Sequence, residues 1–179
     1  MKLTIEHIQH YPVGGKNALK LIHNSAIHTL VGLNEDCLDV HIRDSKYPNS
    51  IYPIQIGIEN CKPLLLPLSA LYEEIDGEIG IVELAKIATS DLTYCNDLHW
   101  KVGGKKDKYA TARKEEYDFA FDYDGVGAFW ISQRDVYDGS CPEIEIHSQL
   151  ALFDYLFSHH YDVYDLCSKG LALDKTKIK

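Results

Sequence analysis

No run of apolar residues in this chain approaches the ~20 that a membrane-spanning helix requires. The stretch from Met1 to Tyr11, MKLTIEHIQHY, holds no apolar core of the kind a secretory leader carries. Cysteines number five, an odd count, widely spread and without a CxxC pair. That spacing excludes a tidy disulfide framework and suits a reducing compartment. Basic side chains are scarce: 18 Lys and Arg stand against 27 Asp and Glu, a formal charge of −9. Such a balance argues against general coating of DNA or RNA. No Gly-x-Ser-x-Gly elbow occurs. The two Val-Gly-Gly-Lys copies, at 13–16 and 102–105, are not phosphate-binding loops, because Asn17 or Lys106 follows the lysine where Ser or Thr is required.

Hydrophobic residues make up 45% of the 179 positions and charged residues 25%, the balance of a chain that buries one core. Residues 1–179 are therefore expected to form a single domain. Its first sixty residues read as strands. Leu3, Ile5 and His7 alternate with polar neighbours, as do Leu19 and Leu21, then Ile27, Thr29 and Val31, then Leu38, Val40 and Ile42, then Ile54, Ile56 and Ile58. Turn chemistry separates them at Pro12 with Gly14-Gly15, at Asn24-Ser25, at Asn34-Glu35-Asp36 and at Tyr47-Pro48-Asn49-Ser50. Short connections favour antiparallel neighbours.

Beyond Pro63 and Pro67 the period changes. Leu68, Leu71, Tyr72 and Ile75 predict a short helix ending at Asp76-Gly77, and Ile81, Leu84, Ala85 and Ala88 predict a second. Residues 90–116 show no clear period and are expected to form a long loop. Phe119, Phe121 and Tyr123, then Asp124-Gly125, then Gly127, Phe129 and Ile131 predict a hairpin over 117–132. A long C-terminal helix is expected from near His147, with Leu150, Phe153, Leu156, Phe157 and Tyr161 as its stripe and Gly170 as its stop. Sheet first and helix last predicts an α+β fold, with that helix packed on an antiparallel N-terminal sheet.

Three islands carry a resemblance. They are Ile5-Glu6-His7; Lys62-Pro63-Leu64-Leu65-Leu66-Pro67-Leu68-Ser69 with Leu71; and the run from His147 to Asp174, which contains His160-Tyr161-Asp162-Val163-Tyr164 and Lys169-Gly170-Leu171-Ala172. In this order they resemble a family of uncharacterised small proteins from bacteriophages, prophages and Bacteroidetes genomes. Leu66 stands where that family commonly has arginine. The resemblance implies a mobile-element origin and a place in the cytoplasm of a bacterial host, and it supplies no activity. Physically, the islands read as core: prolines fix the path from sheet to helix and an aromatic stripe docks the last element.

Nine histidines invite a metal reading. His7 and His10 point to opposite faces of a strand, and the adjacent His159 and His160 diverge on a helix. Cys95 and His99 share a helical spacing, with Cys141 and His147 as the only distant complement, which falls short of a closed zinc module. No metal or other cofactor is expected. Asp118, Asp122 and Asp124 fail the EF-hand test, because placing Gly125 sixth puts Ala120 first and Ile131 twelfth. They read as the solvated face of the hairpin. A thiolate–imidazole pair of Cys141 with His147, or one built on Cys95, would make a small cysteine-dependent hydrolase or transferase.

Charge placement carries more. Lys101, Lys105, Lys106, Lys108, Arg113 and Lys114 crowd one short segment against Asp107 alone. A basic segment on an acidic protein suits one discrete anion or the acidic surface of a host protein, although many such runs are merely solvated. We expect a binding protein that blocks or sequesters a host component. Its contact is expected at Lys101, Lys105, Lys106, Lys108 and Arg113, with Trp100 and Tyr109 beside them and Gly103-Gly104 admitting the ligand close to the backbone.

Overall fold

The computed structural model describes residues 2–14, 18–34, 39–44, 54–95, 97–104, 107–124 and 128–178. Gly15, Leu38, Lys105, Lys106, Gly125 and Gly127, and the turns expected at 35–36 and 47–50, lie outside them. Strands β1 (Lys20–His23), β2 (Ala26–Asn34), β3 (Asp39–Asp44), β4 (Ile54–Gly57) and β5 (Lys62–Leu65) come first. The small strands β6 (Glu74–Ile75) and β7 (Glu78–Ile79) lead into helix α1 (Gly80–Thr89). Then follow β8 (Lys101–Gly103), β9 (Tyr109–Lys114), β10 (Tyr117–Tyr123), β11 (Phe129–Asp135), β12 (Glu143–Ile144), helix α2 (Gln149–Ser158) and β13 (Leu173–Asp174). The fold is α+β and rich in sheet. No helix among the described residues is long and apolar enough to cross a membrane.

Contacts divide the chain into two compact units, residues 1–67 with 156–179 and residues 68–155. In the first, the strands run in the order β13-β5-β1-β2-β3-β4, antiparallel except where β13 lies parallel to β5. Asn24 and Ser25, both in the left-handed region (φ 49° and 62°), turn β1 into β2 with Ile22 opposite Ile27. Leu19, Leu21, Leu30, Ile42 and Leu65 fill the core with Leu3, Ile5, Ile8 and Tyr11.

Of the islands Ile5–His7, Lys62–Ser69 with Leu71, and His147–Asp174, residues 5–7, 62–67 and 156–174 fall in this unit and the rest in the second. Leu66 bridges to Tyr161: its N–H donates to the His160 carbonyl, and its own carbonyl accepts from Asp162 N, each at 2.8 Å. The buried Asp162 carboxylate accepts from Leu166 N and Cys167 N, both at 2.7 Å. Tyr11 OH donates to the Tyr161 carbonyl at 2.8 Å, and the His7 and Tyr164 rings meet edge to face at 5.8 Å.

The second unit holds the antiparallel sheet β12-β11-β10-β9-β8. Ala110, Ala112, Phe119, Phe121 and Ile131 are buried on one face of it, where α1 packs with its own Ile81, Leu84 and Ala85. Phe153 of α2 meets Phe129 edge to face at 5.4 Å.

Four expectations change. Leu3 to His7 is no strand, because Thr4 and His7 cap each other into a 3-10 turn at Ile5–His7 (Thr4 Oγ1 to His7 Nδ1 2.7 Å). The helix expected at 68–75 is a 3-10 helix at Leu68–Tyr72 followed by β6, and Asp76-Gly77 (φ 54° and 88°) is the tight turn into β7 rather than a helix stop. The loop expected over 90–116 contains β8 and β9. Alternation there was hidden because its buried positions are only alanines, Ala110 and Ala112.

The expected long terminal helix spans ten residues. His160 adopts φ 63°, so its N–H turns to Phe157 O and the Tyr161 N–H to Leu156 O, a reversed-turn ending that closes α2 well before Gly170. The 117–132 hairpin forms as β10 and β11, with Phe121 opposite Ile131.

Candidate functional site

Period-2 alternation in the second sheet commits Phe119, Phe121 and Ile131 to the α1 side and so places their neighbours on the other. On that open face three rows cross the strands. Arg113, Asp118 and Arg134 are directly opposite one another on β9, β10 and β11. The next row runs Lys101, Thr111, Ala120 and Ser132. A third pairs Gly103 with Tyr109 and Asp122 with Trp130.

Small side chains at Ala120 and Ser132, flanked by longer ones, make a trough. Its cavity of about 660 Å³ is lined by Lys101, Tyr109, Arg113, Arg134, His99 and Cys141 above that floor. Lys101, Arg113 and Arg134 are exposed, while Tyr109, Thr111, Asp118, Ala120 and Ser132 are half-buried. Arg113 Nε stands 3.6 Å from Asp118 Oδ1, a loose contact that leaves most of the guanidinium's donors facing water. Thr111 Oγ1 is committed to the Phe119 carbonyl at 3.0 Å. Three cations against one carboxylate give the trough a positive balance on a chain of net charge −9.

The expected site residues separate. Lys101, Tyr109 and Arg113 line the trough. Lys108 instead ion-pairs with Glu73. Trp100 is buried, its ring 6.5 Å from that of Phe119 on the core side. Lys105 and Lys106 lie outside the described residues. Gly103 serves packing, since a Cβ there would stand 2.6 Å from Thr111 Cγ2 and 3.6 Å from Tyr109 Cε2. Gly104, at φ +79°, has Asp107 O where a Cβ would go.

Sequence reasoning missed Arg134 and Ser132. Their signal was the phase opposite to Phe129 and Ile131 on the same strand, which gains meaning only once β10 sets Arg134 beside Asp118.

The cysteine candidates also part. Cys95 is buried, and burial pushes its thiol above the ordinary range, which disfavours the thiolate. Cys141 is exposed and lines the trough with His99, whereas His147 faces Glu145 (Nδ1 to Oε1 3.9 Å). Asp122 accepts from Tyr72 OH at 2.5 Å, and burial raises its carboxyl above the usual range. Among the described residues, no cluster of three or more His, Cys, Asp or Glu is placed to hold a metal ion. No family model, no curated protein and no solved structure matches this chain.

Proposed function

We propose that this chain is an accessory protein of the phage or prophage type that acts by binding in the cytoplasm of a bacterial host. Its ligand is a small anion, sequestered in the trough on the open face of the second sheet. The observation that carries the reading is the convergence of Lys101, Arg113 and Arg134 over a floor of small side chains. Guanidinium forks suit phosphate or carboxylate oxygens, and the surrounding negative charge would turn away long polyanions while the local field admits a short one. An acidic surface of a host protein is the competing occupant, and its footprint would extend well beyond the trough.

Titration with inorganic pyrophosphate by calorimetry tests this. Binding should be measurable at 50 mM salt and fade toward 1 M, as the screening length falls from above ~10 Å to ~3 Å. Arg113→Ala with Arg134→Ala should abolish it. No heat at low salt, or heat untouched by the double substitution, overturns the assignment.

A cysteine-dependent hydrolase or transferase is the second reading. It is favoured by Cys141 and His99 lining the same trough. Rapid, selective alkylation of Cys141 at neutral pH, slowed by pyrophosphate, would support it. Uniformly slow thiols would remove it.

A further inference from the structure

The trough has chemistry at both ends, and only one end is cationic. Tyr109 lines the cavity, its ring seated over the glycine backbone: a Cβ on Gly103 would lie 3.6 Å from Cε2 and one on Gly104 3.1 Å from Cε1. Ala110 pairs with Phe121, so the same register carries Tyr109 on to Asp122, which stands opposite Trp130. Trp130 is 37% exposed, and it shares the open face with Ser132 and Arg134 because Phe129 and Ile131 take the buried one. Two aromatic rings thus flank one row of the face, and two arginines flank another. Same-face rows are spaced ~7 Å apart, so the aromatic and arginine rows stand ~14 Å apart, with Lys101 on the row between.

We propose that the anion is the phosphate chain of a nucleoside di- or triphosphate, its base stacked at Tyr109 and Trp130. This rests on the anion reading above and adds a requirement for the base. Aromatic rings on an open sheet face are general platforms for nucleobases, whose π-faces stack without regard to sequence. Asp122, opposite Trp130 and bonded by Tyr72 OH, sets a carboxyl at the aromatic end, which disfavours phosphate there and leaves the phosphates for Arg113, Arg134 and Lys101. A bare phosphate fills only the arginine end. The ribose and polyphosphate chain cover the floor formed by Thr111, Ala120 and Ser132, where the Ser132 hydroxyl is placed to donate. A single-stranded oligonucleotide offers the same base and phosphate chemistry, but its further phosphates would meet a protein of net charge −9.

The test compares ADP, GDP, CDP and UDP with inorganic pyrophosphate and with a ten-residue oligothymidylate, by calorimetry on the full chain at 50 mM salt. The nucleoside diphosphates should bind at least about tenfold more tightly than pyrophosphate, the scale of one stacked base. Trp130→Ala should reduce them to the pyrophosphate level and leave pyrophosphate itself unchanged, and Tyr109→Ala should likewise remove the preference for the diphosphates. Trp130→Phe, which keeps a ring, should restore most of the difference and guards against a variant that merely fails to fold. Equal affinity for pyrophosphate and the diphosphates overturns the nucleotide assignment while the anion reading stands. Absence of all binding overturns both. Tighter binding of the oligonucleotide than of any diphosphate also overturns the proposal, in favour of a single strand.

Discussion

The first unit closes its sheet with backbone, and the second leaves one face of its sheet to side chains. In the first, β5 is held between β1 and β13, Leu66 is clasped by His160 and Asp162, and Tyr11 ties into the same turn. On the outer side of that sheet the one cation on β1, Lys20, donates to Thr29 Oγ1 at 2.7 Å. In the second unit, Lys101, Arg113 and Arg134 stand over a floor of small residues with a single loose carboxylate among them. Backbone closure and opportunity for chemistry therefore fall in different places. The segments 5–7, 62–67 and 160–172 hold the first unit together, whereas the trough is built from residues of the second.

The sharpest break of this comparison uses two neighbours on β10. Phe121 is fully buried under α1, and Ala120 faces the trough. Phe121→Ala should cost about 3–5 kcal/mol in urea denaturation, through lost transfer energy and a cavity. Ala120→Leu should change stability by less than about 1 kcal/mol, since its side chain meets an open cavity rather than a packed core. Yet it should abolish pyrophosphate binding by filling the floor. Equal destabilisation by the two would mean that the outer face is itself packed.

A smaller effect is expected in the first unit at Asp162. The two carboxylate oxygens accept one buried and one part-buried backbone N–H, so Asp162→Ala strands two donors and should cost about 2–3 kcal/mol. The midpoint of urea unfolding measures it, and pyrophosphate affinity should not move. A cost below about 0.5 kcal/mol would remove the His-Tyr-Asp segment from the list of structural anchors.

What the residues announced was period. Ile42 in the first sheet, and Phe119, Phe121 and Ile131 in the second, are buried on strands found where alternation placed them, whereas β2 takes the opposite phase: Ile27 is 39% exposed, and His28 and Leu30 are buried instead. Failures came where a local hydrogen bond or a single dihedral decided the outcome. Thr4 and His7 bend a run that alternates like a strand, and His160 in the left-handed region ends a helix whose apolar stripe continues to Tyr161. The candidate site was half legible for a related reason. Charge density marked Lys101 and Arg113 along the chain, but Arg134 joins them only through strand pairing, a long-range fact with no local signature.

Proton linkage separates the units more finely. Burial pushes the Cys61 thiol up to about 11, and burial with the neighbouring Asp162 pushes Cys167 to about 12. Unfolded thiols ionise near ~8.5, so the folded state holds extra protons above that pH. The stabilisation is fully present below pH ~8.5 and is lost as pH rises through about 11 for Cys61 and about 12 for Cys167. Urea midpoints measured from pH 7 to pH 10 should fall above ~8.5, by at most about 1.4 kcal/mol per pH unit for each thiol. Cys61→Ala with Cys167→Ala should flatten that decline. A slope unchanged in the double variant would place its origin elsewhere, for instance at Cys95, whose thiol burial also raises.

The smallest effect belongs to the cation that leaves the trough. Lys108 pairs with Glu73, and both side chains are about half or more exposed (48% and 64%). An exposed pair of long side chains loses rotamer freedom to meet and is screened by salt, so Lys108→Ala should shift stability by less than about 0.5 kcal/mol. Its effect on pyrophosphate affinity should also be slight, below about threefold at 150 mM salt, because the ammonium is already engaged and acts on the trough only at a distance. Arg113→Ala, one row into the trough, should cost at least about tenfold under the same conditions, the scale of one charge-assisted bond. Replacing Lys105, Lys106 and Lys108 together by Ser extends the comparison to the whole basic segment. If that triple change weakens binding more than Arg113→Ala does, the ligand is held by the run of lysines and not by the face of the sheet.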